Sequence, residues 1–302
     1  MLTKTGNILT LTGKASGRAI ADAIVQAYRV AVTELPEDVI RALKLGLRKE
    51  TNARAKHVLS TMLKNIEMAN HKTRPLCQDT GIPLLYVKYQ SKKYTQLELK
   101  RIIKDATAQA TKEVPLRANA YDLVRGKVIG NYPVIYFKET TDQSQIQILL
   151  KGGGSENVSR VYQLPDRSIA AERDFDGIEK CILDAVIKAQ GRGCPPYIIG
   201  AAVCGNMEEA SYRAKNRHLM TLAEHNPEPK LAAFERRLLK KINALDIGPM
   251  GVGGKTTALG MKFTARYVHP ASWFVGVSIG CWSMRRVTLK LPWFTISPYR
   301  RR

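Results

Sequence analysis

Five cysteines lie along the chain, and three of them share a context. Cys77 falls in Arg74-Pro75-Leu76-Cys77-Gln78-Asp79-Thr80-Gly81, Cys194 in Gly193-Cys194-Pro195-Pro196, and Cys281 in Gly280-Cys281-Trp282. Each stands at an expected loop or strand end beside Gly or Pro, where backbone can approach a ligand and a side chain can enter a cleft. Thiolates hold iron–sulfur clusters, and a cluster with only three protein ligands leaves one iron open as a Lewis acid. The competing reading is that these are small apolar side chains, and spacing alone does not decide between the two. Cys181 fits the apolar reading, on one helix face with Ile178 and Ala185, and Cys204 leans the same way. No pair has CxxC spacing, which leaves a zinc ribbon or thioredoxin-type motif unsupported. An odd count in a long chain without a secretory signal argues against a disulfide framework.

Four further segments carry chemistry. Lys151-Gly152-Gly153-Gly154-Ser155-Glu156-Asn157 reads as a polar turn directly after a strand, whose bare amides can cradle a carboxylate or phosphate. It is neither a Walker A loop nor a GxGxxG. Gly248 to Thr256 ends in Gly-Lys-Thr, but five residues separate Gly248 from Gly254, one too many for a P-loop, and a helix rather than a strand precedes it. His269, in His269-Pro270-Ala271-Ser272, is of the type that exchanges protons near neutrality, although a lone His is more often structural. Arg117, in Pro115-Leu116-Arg117-Ala118-Asn119, can grip a carboxylate with two donors, or stand as an ordinary solvated Arg.

The elements that must position these groups form a mixed α/β pattern: a helical N-terminal region, then strands alternating with helices. Ile20, Ile24, Ala27, Tyr28 and Ala31 recur at helical spacing, a second helix runs from Glu37 towards Lys49 behind Pro36, and Val58 to Ile66 gives a third. Strands are expected at 82–89, 146–150, 196–204 and, as the last, 275–279. Helices are expected at 97–108, 176–190, 207–219 and 230–244. No internal repeat or sharp linker interrupts this order.

The chain has 302 residues, 44% of them apolar and 25% charged, which excludes collagen-like and wholly disordered classes. No apolar run is long enough to span a bilayer, so no membrane partner is expected. The net charge is +22, and no acidic residue follows Asp246 or precedes Asp22. Such a balance suits a nucleic-acid binder, an acidic partner, or an enzyme drawing in anions. The cytoplasm is the default location; a basic, acid-free N-terminus makes organelle import the lesser alternative.

Taken in order, Cys77-Gln78-Asp79-Thr80-Gly81, Pro115-Leu116-Arg117-x-Asn119, Lys151 to Asn157, Gly193-Cys194-Pro195-Pro196, Gly248 to Leu259, His269-Pro270-Ala271-Ser272 and Cys281-Trp282 resemble the class I, iron–sulfur fumarate hydratase and L(+)-tartrate dehydratase family. The likeness runs from about Glu37 to Arg286 and is to the alpha subunit, or the N-terminal domain of single-chain members. It implies an iron–sulfur hydro-lyase alpha-type domain over 21–290, which leaves a basic N-terminal extension at 1–20, a candidate for disorder, and a basic tail at 291–302. It implies that Cys77, Cys194 and Cys281 ligate a [4Fe–4S] cluster. Gln78 and Asp79 would line the substrate site, Arg117 would clamp a carboxylate, and the Gly153 and Gly154 backbone would meet the small dicarboxylate. Asp79 and His269 would be catalytic, His269 lying near the open iron.

The implied activity is oxygen-sensitive, reversible hydration of fumarate to malate, a tricarboxylic acid cycle step. The Lys-Gly-Gly-Gly-Ser-Glu-Asn form looks closer to the fumarase branch than to L(+)-tartrate dehydratase, which forms oxaloacetate. A separate beta subunit would supply the base and further cations, leaving this chain inactive alone, and the alpha/beta pair would dimerise. The rival from another class is a basic nucleic-acid-binding protein without catalysis. It needs aromatics interleaved with Lys and Arg, a pattern present only weakly, from Trp293 to Arg302.

Overall fold

The computed structural model describes residues 1–13 and 16–292; the aromatic and basic tail segment 293–302 lies outside them. In chain order the elements are β1 (Leu2–Thr5), β2 (Ile8–Leu11), α1 (Gly17–Thr33), α2 (Glu37–Lys49), α3 (Ala53–His71), β3 (Ile82–Tyr89), α4 (Gln96–Glu113), β4 (Tyr121–Asp122), β5 (Lys127–Val128) and β6 (Val134–Glu139). They continue with β7 (Gln145–Lys151), α5 (Gly153–Asn157), β8 (Arg160–Leu164), α6 (Phe175–Ala189), β9 (Tyr197–Cys204), α7 (Met207–Asn216), α8 (Pro229–Asn243), β10 (Ala258–Ala265), β11 (Trp273–Gly280) and β12 (Arg285–Lys290). No described helix is long and apolar enough to cross a membrane. The mixed α/β expectation holds, and the chain divides into two compact units.

The first unit comprises, among the described residues, 1–13, 16–37, 65–151 and 285–292. Its six-stranded sheet has the order β1-β2-β12-β7-β3-β6. β7 lies between β12 and β3, antiparallel to both, and its Ile146, Ile148, Leu149 and Leu150 are buried. Two helices pack on this sheet. α1 starts at Ser16, whose hydroxyl accepts the Ala19 N–H, and buries Ile20, Ile24, Ala27, Tyr28 and Ala31 on one face. α4 starts with a full capping box between Thr95 and Glu98. Within the segment 1–20, residues 2–5 and 8–11 are strands. β1 and β2 form a hairpin, with Leu9 and Leu11 buried and β2 parallel to β12. Four-residue strands carry too few alternations to stand out in sequence.

The second unit comprises 38–64 and 152–284. Its sheet has the order β10-β9-β11-β8. β9, Tyr-Ile-Ile-Gly-Ala-Ala-Val-Cys, is buried throughout because it is a central strand with covered faces. α7 lies against β9 and β11 at a distance only glycine allows: a Cβ on Gly200 would stand 2.2 Å from the Ala214 carbonyl oxygen, and one on Gly276 2.3 Å from that of Ala210. α6 and α8 are joined by Glu179, which is buried and paired with both Arg237 and Lys241. β8, β10 and β12 were absent from the sequence reading, which made 275–279 the last strand; in the structure β12 follows it.

Candidate functional site

The second unit holds Cys194 and Cys281 at one end of its sheet. Cys194 lies in the turn leading into β9, with φ at 58°, a left-handed conformation uncommon for a residue with a Cβ. Three bonds hold that turn. The Cys194 N–H donates to the Gly191 carbonyl at 3.1 Å, the Gly193 N–H to the Tyr197 hydroxyl at 3.2 Å, and that hydroxyl to the Gln190 carbonyl at 2.5 Å. Burial pushes the Tyr197 phenol up to about 12, so it stays a donor at neutral pH. Cys281 follows β11 directly, and the next residue closes the pair: the Trp282 N–H donates to the Cys194 carbonyl at 3.1 Å. The Cys281 Sγ lies 3.3 Å from the Ser283 hydroxyl.

The Gly248 to Gly254 loop, which tempts a nucleotide-binding reading, has a structural task here. The Met250 N–H donates to the Pro195 carbonyl at 2.7 Å. A Cβ on Gly191 would meet the Met250 carbonyl oxygen at 2.9 Å, and one on Gly251 the Gly191 Cα at 2.8 Å. Backbone packs on backbone, and the loop braces the Cys194 turn.

Lys151 to Asn157 differs from the expected open turn, because 153–157 forms a short helix, α5, with Gly152 as its cap. The Ser155 hydroxyl donates to the Gly152 carbonyl at 2.9 Å, and Glu156 pairs with Lys215. Gly153 is half-buried and Gly154 exposed. Gly154 belongs to the same sheet end as the cysteines: a Cβ there would stand 3.8 Å from the Arg192 carbonyl oxygen.

His269 is placed elsewhere. Its loop sits beyond the C-terminal end of β9, where a Cβ on Gly205 would lie 3.5 Å from the His269 nitrogen and the Ser272 hydroxyl donates to the Gly205 carbonyl at 2.8 Å. Cys194 precedes the other end of β9, and Cys281 follows Gly280, which registers with Ile198. An eight-residue strand spans roughly 23 Å at the usual rise per residue. Within this unit, therefore, His269 is not beside the two cysteines, contrary to the expectation that it stands near an open iron. The reason is topological: β9 and β11 run antiparallel, so residues before β11 and residues after it occupy opposite edges. The imidazole is exposed, and its Nδ1 accepts the Ala271 N–H at 3.1 Å, which leaves Nε2 to carry the proton of the neutral ring.

The first unit holds Cys77, Gln78, Asp79 and Arg117. Thr80 is the hub of that group. Its buried hydroxyl accepts the Arg117 N–H at 3.0 Å and an Asn119 amide proton at 3.1 Å, so the two separate motifs form one structure. Asp79 accepts the Gly81 N–H at 2.9 Å. Gly81 itself must be glycine, since φ is 88° and a Cβ would lie 2.7 Å from the Leu150 carbonyl carbon. Cys77 and Asp79 are half-buried; Gln78 and Arg117 are exposed.

Sequence reasoning missed Arg285. It is 1% exposed on β12, and its Nη1 donates to the Asp79 main-chain carbonyl. Its Nε has no partner among the described residues. The signal was available, because Arg285 falls in the apolar register of Val287, Leu289 and Leu291, where a buried charge calls for a reason.

The cysteines separate into two kinds. Cys181 and Cys204 are fully buried, and burial pushes their thiols up to about 12 and about 11; Cys77, Cys194 and Cys281 are half-exposed. Thiolate, not thiol, is the reactive form and the metal-binding one. Cluster-free protein treated with iodoacetamide at neutral pH should accordingly be labelled at Cys77, Cys194 and Cys281, with Cys181 and Cys204 reacting only after denaturation; peptide mass spectrometry reads the pattern. Among the described residues no group of three or more His, Cys, Asp or Glu side chains is placed to hold one metal ion. Within the second unit, Cys194 and Cys281 stand at the same sheet end, their segments joined by the Trp282 to Cys194 main-chain bond, and both thiols are half-exposed.

A profile of the fumarate hydratase (Fumerase) family matches residues 21–290. A Geobacillus stearothermophilus protein named as a class I fumarate hydratase is 40% identical over 265 residues, covering 84% of this chain and 51% of its own length. The chain thus spans about half of that relative. A Methanocaldococcus jannaschii protein named as an L(+)-tartrate dehydratase subunit alpha is 35% identical over 284 residues, covering 90% of this chain and 97% of its own. The L(+)-tartrate dehydratase subunit alpha of Escherichia coli is 32% identical over 266 residues, covering 85% and 86%.

Proposed function

The chain belongs to the fumarate hydratase (Fumerase) family, and from that premise we propose that it is the alpha subunit of a cytoplasmic iron–sulfur hydro-lyase that adds water reversibly to fumarate to give malate. The observation that carries this reading is the pairing of Cys194 and Cys281 at one sheet end by the Trp282 to Cys194 bond, while Cys181 and Cys204 are sealed in the core. Cys77, Cys194 and Cys281 would hold a [4Fe–4S] cluster. When bound, its open iron supplies a Lewis acid that turns hydroxide into a better leaving group.

This chain's residues do the rest that falls to it. Loss of the carbon-bound proton from malate leaves a dianionic aci-carboxylate, which cations and N–H donors must stabilise. Arg117 takes that role in this reading, gripping a carboxylate in two prongs; its backbone N–H is held by the Thr80 hydroxyl and its side chain is exposed, which supports it. Gln78 and the Gly153 and Gly154 backbone orient the dicarboxylate. Asp79, oriented by the Gly81 N–H, holds or passes a proton at its carboxylate. His269 takes no step at the Cys194 and Cys281 end of its own unit. The carbon base and further cations come from a second subunit, which agrees with the name "subunit alpha" carried by two relatives.

The second reading is L(+)-tartrate dehydration to oxaloacetate, favoured by those same two names. Anaerobic reconstitution of the chain with iron, sulfide and its second subunit, followed by assay on fumarate, malate and L-tartrate, separates the two. Fumarate should be turned over with kcat/KM roughly tenfold or more above that for tartrate, since a site shaped for one hydroxyl rejects an analogue that differs by another. Turnover of tartrate alone moves the assignment to the dehydratase. Turnover of neither by a complex that retains iron sinks the hydro-lyase reading.

A further inference from the structure

Between α4 and β6 the chain builds a small arm, 115–133, rooted by Leu116 on the core and Asn119 on Thr80 and exposed toward its tip. The β4–β5 hairpin at its centre pairs only Tyr121 with Val128 and Asp122 with Lys127. Hydrogen bonds hold its shape: the Ala120 N–H donates to the Gly130 carbonyl at 2.8 Å, the Ile129 N–H to that of Ala120 at 2.9 Å, and Asp122 accepts the Val124 and Arg125 amides and pairs with the Arg125 guanidinium. On this frame the side chains point outward. Leu123 is 87% and Val124 95% exposed, and Val128, Ile129 and Tyr132 are each more than half exposed. Lone surface hydrophobics need no explanation, but a contiguous group does, and an isolated two-stranded hairpin is marginal in water unless something packs on it.

The arm adjoins a cavity of about 270 Å³ lined by Lys100, Lys104, Tyr132 and Phe137. Lys104 stands 5.4 Å from the Tyr132 ring centre, and Arg125 and Lys127 flank the arm's tip. The surface is thus apolar at its centre and basic at its rim, in a chain of net charge +22. Arg117 lies at the arm's base, tied through its carbonyl to Asn131 at 3.0 Å.

We propose that the arm 115–133 is the docking surface for the second subunit, the counterpart of the half of the Geobacillus stearothermophilus relative that this chain does not span. The proposal rests on the reading of this chain as an alpha subunit. A complementary partner would present an apolar face rimmed by carboxylates, to meet the arm's apolar centre and the Lys100, Lys104, Arg125 and Lys127 side chains around it. Docking there also removes water from beside Arg117, which strengthens its hold on a carboxylate.

The test uses the full chain coexpressed with that second subunit, with p-benzoylphenylalanine placed at Leu123. Irradiation should give crosslinks whose peptides map to the second subunit. The double variant Leu123→Asp, Val124→Asp should retain the wild-type circular dichroism spectrum while the affinity between purified subunits falls roughly tenfold or more. Crosslinks to a second copy of this chain, or a double variant that assembles with undiminished affinity, overturn the surface while leaving the partner reading intact. A wild-type chain that forms no complex and turns over fumarate or tartrate alone overturns both.

Discussion

Cys194→Ser and Cys281→Ser are each expected to abolish retention of iron, and Cys77→Ser to do the same, while Cys181→Ser and Cys204→Ser retain the wild-type iron and sulfide content. A serine hydroxyl at neutral pH is neutral and hard, whereas the cluster takes soft thiolates, so one replacement removes a ligand outright. The contrast between the two groups of variants carries the weight. Cys181 and Cys204 are fully buried among apolar neighbours, so their replacement by serine places a hydroxyl in the core and costs stability on the order of 1–3 kcal/mol. Tm should fall for these two and iron should not. Iron and acid-labile sulfide per chain after anaerobic reconstitution give the readout, with thermal melts alongside. Equal iron loss in all five variants would refute the assignment, because folding and not ligation would then explain it.

Arg285→Met should lower kcat/KM by roughly ten- to a hundredfold, equivalent to about 1.4 to 2.7 kcal/mol of transition-state stabilisation. The cause is positional. The guanidinium is buried on β12 and donates to the Asp79 carbonyl, inside the segment that presents Cys77, Gln78 and Asp79. Methionine has similar length and fills the space but removes a charge-assisted donor, and a hydrogen bond from a charged group is worth on the order of 1.5–3 kcal/mol. Arg285→Lys should recover part of the activity by restoring a donor. A variant with reduced Tm but wild-type kinetic constants at low temperature would show that Arg285 serves only the fold.

Much of the helical framework was legible in the sequence because long amphipathic segments repeat their pattern many times. α2 is found at Glu37–Lys49 as its flanking Pro36 indicates, and α6 and α8 lie within a residue of expectation. Strands fared worse where they were short or half-covered. β1 and β2 have four residues each, and β8, with Arg160 and Gln163 among its five, offers no clear alternation. β12 was hidden for a different reason: two arginines open it, and a buried Arg285 reads as a surface residue until the strand register is known.

The candidate site divides along the same line. The company of Gly and Pro marked Cys77, Cys194 and Cys281, and a position inside a helix marked Cys181 as sealed by regular packing; Cys204 ends β9 beside Gly205, and only the covered faces of the folded sheet show that it is sealed too. Glycine at positive φ and a string of polar motifs in fixed order are likewise one-dimensional properties, and they carried the family resemblance. Which groups share a sheet end is not. The meeting of Cys194 with Cys281, the bracing of the Cys194 turn by the Gly248 to Gly254 loop, the hold of Thr80 on Arg117 and of Arg285 on Asp79, and the removal of His269 to the far end of β9 all follow from strand direction and register. Those depend on contacts between residues far apart in the chain, whose free energy exists only once the backbone has closed the intervening loops.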